Sequence, residues 1–163
     1  MNVLDYALKL EADGKDYYEK LAEGCDSKEL KNLFTLLAEA EQTHYDALLA
    51  RKQETPGPGV ESQILEKAKN IFQRLVEMME SRGPGSLRVD SDGYRHAIKA
   101  EELSIAFYLD AADKEPSLEV RRLLQALAAE EKLHLNIIEN IYEFVESPKY
   151  FLEWREFSNL KPL

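Results

Sequence analysis

The residues of this chain whose types and spacing could do chemistry are two Glu-x-x-His pairs, each preceded at a distance of 30 residues by a further glutamate. The set comprises Glu11, Glu41, His44, Glu101, Glu131 and His134. Residues three apart on a helix share a face, so each pair can direct a carboxylate and an imidazole at one point. Ionised carboxylates in an apolar core are costly, and four of them would also repel one another. Protons or cations must therefore compensate them.

Two divalent cations would balance the charge of four carboxylates, and two neutral imidazoles would complete the ligand set. The six residues therefore predict a two-metal centre between four helices. Carboxylate and imidazole ligands without thiolate favour iron or manganese. Structural zinc more often uses cysteine, and calcium prefers oxygen ligands. We expect two iron ions, with manganese as the alternative that ligand type leaves open.

An internal repeat supports this interpretation. An offset of 90 positions places each member of the first half of the set on its counterpart in the second half, and it places Tyr18 on Tyr108. A single Glu-x-x-His pair arises readily by chance in a chain with 31 acidic residues. Two pairs in register are harder to explain in that way, so we interpret residues 1–54 and 91–146 as two copies of one helical hairpin.

The elements that must position these residues are helices. Apolar residues recur with helical periodicity at about 3–23, 26–53, 61–81, 91–113 and 118–146. Period-two alternation is limited to a weak stretch at 86–90, so we predict an all-α fold. Gly24 is expected to end the first helix in a left-handed conformation. Asp26 with Glu29 resembles a capping box, and Ser117 is expected to cap the last helix.

The segment between the hairpins, residues 55–90, is long and partly helical. It can therefore run back along a helix of about 42 Å, the length of about 28 residues. This predicts a four-helix bundle with one long crossover, within a single domain. The tail, residues 147–163, carries Phe151, Trp154 and Phe157, and we expect it to lie over the bundle or a partner subunit. A homodimer or larger homo-oligomer is expected.

Composition limits the partners. The net charge of −10 argues against nucleic acid and anionic membranes, because both are polyanions. The chain lacks an apolar run near the ~20 residues that span a membrane. Its first residues lack a basic region followed by an apolar stretch, so no signal peptide is expected and the cytoplasm is the expected location.

The combination Glu11, Glu41-x-x-His44, Glu101 and Glu131-x-x-His134 resembles the rubrerythrin-type diiron domain of the ferritin-like superfamily. The stretch LEADGKDYYEKLAE, residues 10–23, is also similar to the first helix of that group. The resemblance covers about 1–54 and 91–146. It implies a ferritin-like bundle in which Glu41 and Glu131 bridge two irons. Glu11 with His44 would bind mainly one iron, and Glu101 with His134 the other.

The resemblance also implies an activity, namely reduction of hydrogen peroxide or dioxygen in protection against oxidative stress. Ferroxidase activity for iron storage or sequestration is the alternative, and a helical interaction module with a lost site is a third hypothesis. Ser104 stands where rubrerythrins usually have another glutamate, which leaves a symmetric six-ligand centre. The single cysteine cannot form a four-cysteine rubredoxin domain, so the electron donor would be external. Tyr18 and Tyr108 would lie beside the ligands, or would be ordinary core tyrosines.

Overall fold

The computed structural model describes residues 2–82 and 91–147, and these residues form five helices and no strand. The helices are α1 (Val3–Glu23), α2 (Lys28–Lys52), α3 (Ile64–Arg82), α4 (Ser91–Lys114) and α5 (Leu118–Glu146). The predicted all-α class is confirmed. The weak strand suggested at 86–90 and the aromatic tail with Phe151, Trp154 and Phe157 lie outside the described residues.

Two antiparallel hairpins make up the bundle, with α1 packed against α2 and α4 against α5. At one end of the bundle, Lys52 of α2 pairs with Asp5 of α1. At this same end Nη1 of Arg51 lies 2.5 Å from the carboxylate of Glu119, near the start of α5. The start of α4 lies at the opposite end, because Ser91 contacts the end of α5. The connection from α2 to α4 therefore has to run the length of the bundle, as expected for a single long crossover.

The crossover contains α3, which packs against α2 and α5. The rings of Phe72 on α3 and Phe144 on α5 meet edge to face, with centroids 5.3 Å apart. Before α3, the hydroxyl of Ser62 donates a hydrogen bond to Glu130 of α5, and Val60 is buried. The described part of the crossover thus covers the face formed by α2 and α5.

The ends of the first hairpin's helices differ from the predictions in two details. Gly24 has right-handed dihedrals (φ −81°, ψ −4°), so the predicted left-handed conformation is wrong. The amides of Gly24 and Cys25 bond back to Lys20 and Ala22, which satisfies the last carbonyls of α1 without it. The cap of α2 is Ser27, whose hydroxyl accepts from the amide of Leu30 at 3.3 Å, and not Asp26.

The last helix is capped as predicted. The side chain of Ser117 accepts a hydrogen bond from the amide of Val120 at 3.4 Å, and α5 begins at the next residue. None of the described helices combines the length and the apolar composition needed to span a membrane.

The core has two apolar clusters, and a polar layer lies between them. On α2, Leu37 belongs to one cluster and Leu48 to the other, with Glu41 and His44 between them. On α5, Leu127 and Ile138 likewise belong to different clusters. Residues 131 and 134 lie between them, so the bundle surrounds its polar residues with apolar packing on both sides.

Candidate metal centre

The structure brings all six predicted residues together in this polar layer. One comes from α1, two from α2, one from α4 and two from α5. Their exposed fractions are 1% for Glu11, 3% for Glu41, 1% for His44, 4% for Glu101, 1% for Glu131 and 0% for His134. Burial of this degree removes the water that would otherwise solvate the charges, so the groups must satisfy one another or hold ions.

The six residues form two overlapping groups of four. The first group contains Glu11, Glu41, His44 and Glu131, and the second contains Glu41, Glu101, Glu131 and His134. In each group, one ligand atom per residue can be chosen so that all lie within 4.8 Å of one another. Glu41 and Glu131 belong to both groups, so they lie where two neighbouring metal positions would share ligands.

Contacts within the cluster follow the same 90-residue offset as the sequence. Nδ1 of His44 lies 3.2 Å from Oε1 of Glu131, and Nδ1 of His134 lies 3.0 Å from Oε1 of Glu41. The two imidazole rings stack, with centroids 5.3 Å apart and planes 6° from parallel. Each histidine therefore contacts the shared glutamate of the other hairpin, and the two rings meet between the hairpins.

Both tyrosines contact the outer glutamates, again across the two hairpins. The hydroxyl of Tyr18 on α1 donates to Oε1 of Glu101 at 2.6 Å. The hydroxyl of Tyr108 on α4 donates to Oε1 of Glu11 at 2.5 Å. Tyr18 is 2% exposed and Tyr108 0%. They are buried core tyrosines whose hydroxyls are satisfied by the cluster itself.

Burial perturbs the acid–base equilibria of the metal-free cluster. It raises the pKa of Glu41 well above the ordinary value, and the neighbouring carboxylates of Glu11 and Glu131 add to the shift. Burial raises the pKa of Glu101 to about 8, with a further contribution from the charge of Glu131. The pKa of Glu11 is raised for the same two reasons. These carboxyl groups therefore tend to keep their protons when no metal is bound.

In the histidines and Glu131 the shifts favour the charged form, because the pKa of each histidine is raised and that of Glu131 is lowered. Burial alone would lower the pKa of His44, but hydrogen bonds to Glu11 and Glu131 raise it to about 9. Burial would raise the pKa of Glu131, yet the charge of His134 and hydrogen bonds to its neighbours bring it well below the ordinary value. Protons thus provide the positive charge in the metal-free cluster, and metal ions would have to displace them.

The donor atoms that remain fit metal ions. Within the described part of the chain, one oxygen (Oε2) each of Glu11, Glu101 and Glu131 is buried without a hydrogen bond. Those of Glu11 and Glu131 lie 3.4 Å and 3.1 Å from Nδ1 of His44 and His134, respectively. Buried polar atoms left unpaired are rare in folded proteins and call for an explanation such as an ion. Carboxylate oxygens and imidazole nitrogens are ligands of iron, manganese and zinc. The two Glu/His groups could therefore hold metal.

Two neighbouring residues show features that the sequence patterns did not indicate. Glu130, next to Glu131, is only 5% exposed, but the crossover buries it against Ser62, and it belongs to neither group of four.

The second residue is Gly14, which lies next to the carboxylate of Glu41. The available signal was a glycine inside a helix, one turn after a predicted ligand, where alanine would be more stable.

Comparison with protein families agrees with this geometry. The family model described as Rubrerythrin matches residues 2–142. Comparisons with curated proteins and with solved structures gave no match. The family match includes all six residues of the two groups, and these residues are buried where metal could bind. The chain therefore belongs to the rubrerythrin family.

Proposed function

We propose that this protein is a non-haem diiron-carboxylate oxidoreductase that reduces hydrogen peroxide or dioxygen with electrons from an external donor. The observation that carries the proposal is the pair of overlapping Glu/His groups, which share Glu41 and Glu131. Family membership supports a diiron-carboxylate site. Carboxylate and imidazole ligands suit both iron and manganese, and we propose iron because of the family membership.

In this proposal Glu41 and Glu131, which belong to both groups of four, would contribute to both metal positions. Glu11 and His44 complete one position, and Glu101 with His134 completes the other, in agreement with the two groups of four. A bound pair of irons supplies two electrons and Lewis acidity toward a small oxidant. The four carboxylates compensate the charge of two divalent ions, which replaces the protons held by the metal-free cluster.

The remaining contributions come from the protein itself. Tyr18 and Tyr108 fix the outer glutamates by hydrogen bonds from the opposite hairpin. Apolar side chains on both sides of the cluster, such as Leu37 and Leu48, exclude bulk water and so strengthen the electrostatic interactions inside. Conversion of peroxide to water also consumes protons, which the solvent must provide.

The proposal is tested by anaerobic loading with Fe(II), followed by metal analysis and rapid mixing with peroxide or with oxygenated buffer. We expect two irons per chain and an oxidation that is much faster with peroxide than with oxygen. Repeated oxidation of many irons per chain would instead indicate a ferroxidase. A protein that binds no iron would contradict both functions and favour the third hypothesis, a helical interaction module.

A matched pair of variants tests the ligand assignment. Glu131→Ala should remove most metal binding, because Glu131 belongs to both groups. Glu102→Ala changes an exposed glutamate on α4 and should leave two irons per chain. Retention of two irons by Glu131→Ala would refute the assignment.

Partners and location are part of the proposal. We propose an external electron donor, a cytoplasmic location, no interaction with nucleic acid or membrane, and a homodimer or larger homo-oligomer. The net charge of −10 supports the exclusion of polyanionic partners. Light scattering of the purified protein tests the assembly, and a monomer at micromolar concentration would contradict it.

A further inference from the structure

Gly14 lies on α1 one turn after Glu11, beside the carboxylate of Glu41. A Cβ atom at position 14 would lie 3.3 Å from Cδ and 3.4 Å from Oε2 of Glu41. Non-bonded carbon atoms attract best at about 3.5–4.0 Å, so a methyl group here would press on the carboxylate. The α1 backbone therefore approaches this shared glutamate so closely that a Cβ atom would make an unusually tight contact, and the carboxylate would have to move by a few tenths of an ångström.

The backbone conformation does not explain a glycine at this position. Gly14 lies in the interior of α1, and its φ is outside the left-handed region that favours glycine. Glycine inside a helix costs about 0.5–1 kcal/mol relative to alanine. What distinguishes the position is its neighbour, the carboxylate of Glu41.

Glu41 has little freedom to yield. Its Oε1 lies 3.0 Å from Nδ1 of His134, while Oε2 faces Gly14. The side chain is 3% exposed and belongs to both groups of four. A carboxylate pushed away from α1 would change the arrangement of both groups at once.

We propose that Gly14 is a positioning residue of the metal centre, where the absence of a side chain reserves the space that Glu41 needs to serve both metal positions. The inference rests on the proposed function, in which Glu41 is a shared ligand. It adds a residue that touches no metal but determines where a ligand stands.

The repeat provides a matched control. Ser104 occupies the position 90 residues after Gly14 and is half-buried on α4. The second hairpin, formed by α4 and α5, therefore has a side chain at the position where the first hairpin has none. Ser104→Ala keeps a Cβ atom and removes only a hydroxyl group, whereas Gly14→Ala adds the Cβ atom that would meet Glu41.

The first test is binding of Mn²⁺ to metal-free protein, measured by calorimetry. We expect Gly14→Ala to weaken binding by about 10–100-fold, the loss typical when residues that orient metal ligands are changed. Ser104→Ala should stay within about threefold of the parent. If Gly14→Ala bound Mn²⁺ with the affinity of the parent, the role of Gly14 would be refuted, but the proposed function would not. A parent that binds no metal would overturn the proposed function as well.

A second test needs no metal and covers the case of a poorly folded variant. Glu41→Ala removes the atoms that the new Cβ would meet, so thermal unfolding is compared in both backgrounds. With Glu41→Ala present, Gly14→Ala should raise Tm by about 2–4 °C, as expected from helix propensity alone. In the parent it should raise Tm less, or lower it. Equal shifts in the two backgrounds would refute the contact on which the inference rests.

Discussion

The hydroxyl of Tyr18 on α1 donates a hydrogen bond to Oε1 of Glu101 on α4, at 2.6 Å. The reciprocal bond from Tyr108 on α4 to Glu11 on α1 measures 2.5 Å. Each hairpin therefore provides the donor that orients the outer glutamate of the other. The cluster depends on both hairpins being docked, and not only on the six side chains that would bind metal.

Removal of either hydroxyl should destabilise the protein to a similar extent. We expect Tyr18→Phe and Tyr108→Phe each to lower the free energy of unfolding by about 1–3 kcal/mol, because a buried carboxyl group loses its partner. Urea denaturation of the metal-free protein measures the effect. The control is Tyr6→Phe, a tyrosine of α1 that is 44% exposed, and this change should alter stability by less than about 0.5 kcal/mol. If Tyr18→Phe and Tyr108→Phe both left the free energy of unfolding unchanged, this would contradict the role given to these bonds.

The metal-free protein should lose stability as the pH rises. The pKa of Glu101 is raised to about 8 and that of His44 to about 9, so the folded protein holds protons that the unfolded chain releases. The free energy of unfolding therefore falls from about pH 5 to about pH 9, by an amount on the order of a few kcal/mol. Urea denaturation with a chelator present checks this.

A variant separates the carboxyl contribution from that of the histidine. Glu101→Gln removes the group that titrates at about 8 and should flatten the lower part of the pH dependence, while the part due to His44 remains. Stability that is constant or rises over this range would contradict the proton-filled cluster. Bound metal should reverse the trend, because metal binding is favoured when protons leave the ligands.

The packing of α3 should matter for stability but not for metal binding. Phe72 is 6% exposed and lies against Phe144, so Phe72→Ala should cost about 3–5 kcal/mol. All six cluster residues lie on the other four helices, so the folded variant should still bind two metal ions per chain at saturation. Lys69→Ala, an exposed change on α3, is the control. A folded Phe72→Ala protein that loses a metal position would show that α3 shapes the site.

The two serine caps should contribute alike, since they occupy equivalent positions of the repeat. Ser27 caps α2 and Ser117 caps α5. Each change to alanine should lower the free energy of unfolding by about 1 kcal/mol, because an amide at the helix start loses its acceptor. Urea denaturation measures the change, and exposed Lys31→Ala serves as the reference. Values near zero for both serines would show that water replaces the caps.

The sequence was sufficient to predict the helices and the meeting of the six polar residues. Helical periodicity and strong turn residues located α1 and α5 closely, and α5 begins after Ser117 as expected. The convergence followed from the repeat, since two copies of one hairpin place equivalent residues at equivalent heights. The ligand roles of these residues stay a prediction.

The sequence-based predictions failed or were incomplete in two situations. In one, alternative local conformations have similar energies; in the other, a contact depends on the distance between helices. Asp26 and Ser27 are both good capping residues, and the two residue types are about equally favoured at that position. Glu130 and Glu131 are neighbours in sequence, but the crossover buries the first against Ser62. The closeness of Gly14 to Glu41 depends on the spacing of α1 and α2, which periodicity does not specify.

In each group of four, three residues come from one hairpin and one glutamate comes from the other. That glutamate is Glu131 in the first group and Glu41 in the second. A peptide of one hairpin would thus lack a complete set, whereas two identical hairpins paired about a true twofold axis would supply both sets. Fusion of the two copies fixes their ratio at one to one and frees each to change separately. The contrast between Gly14 and Ser104 is a difference that an association of identical hairpins could not maintain.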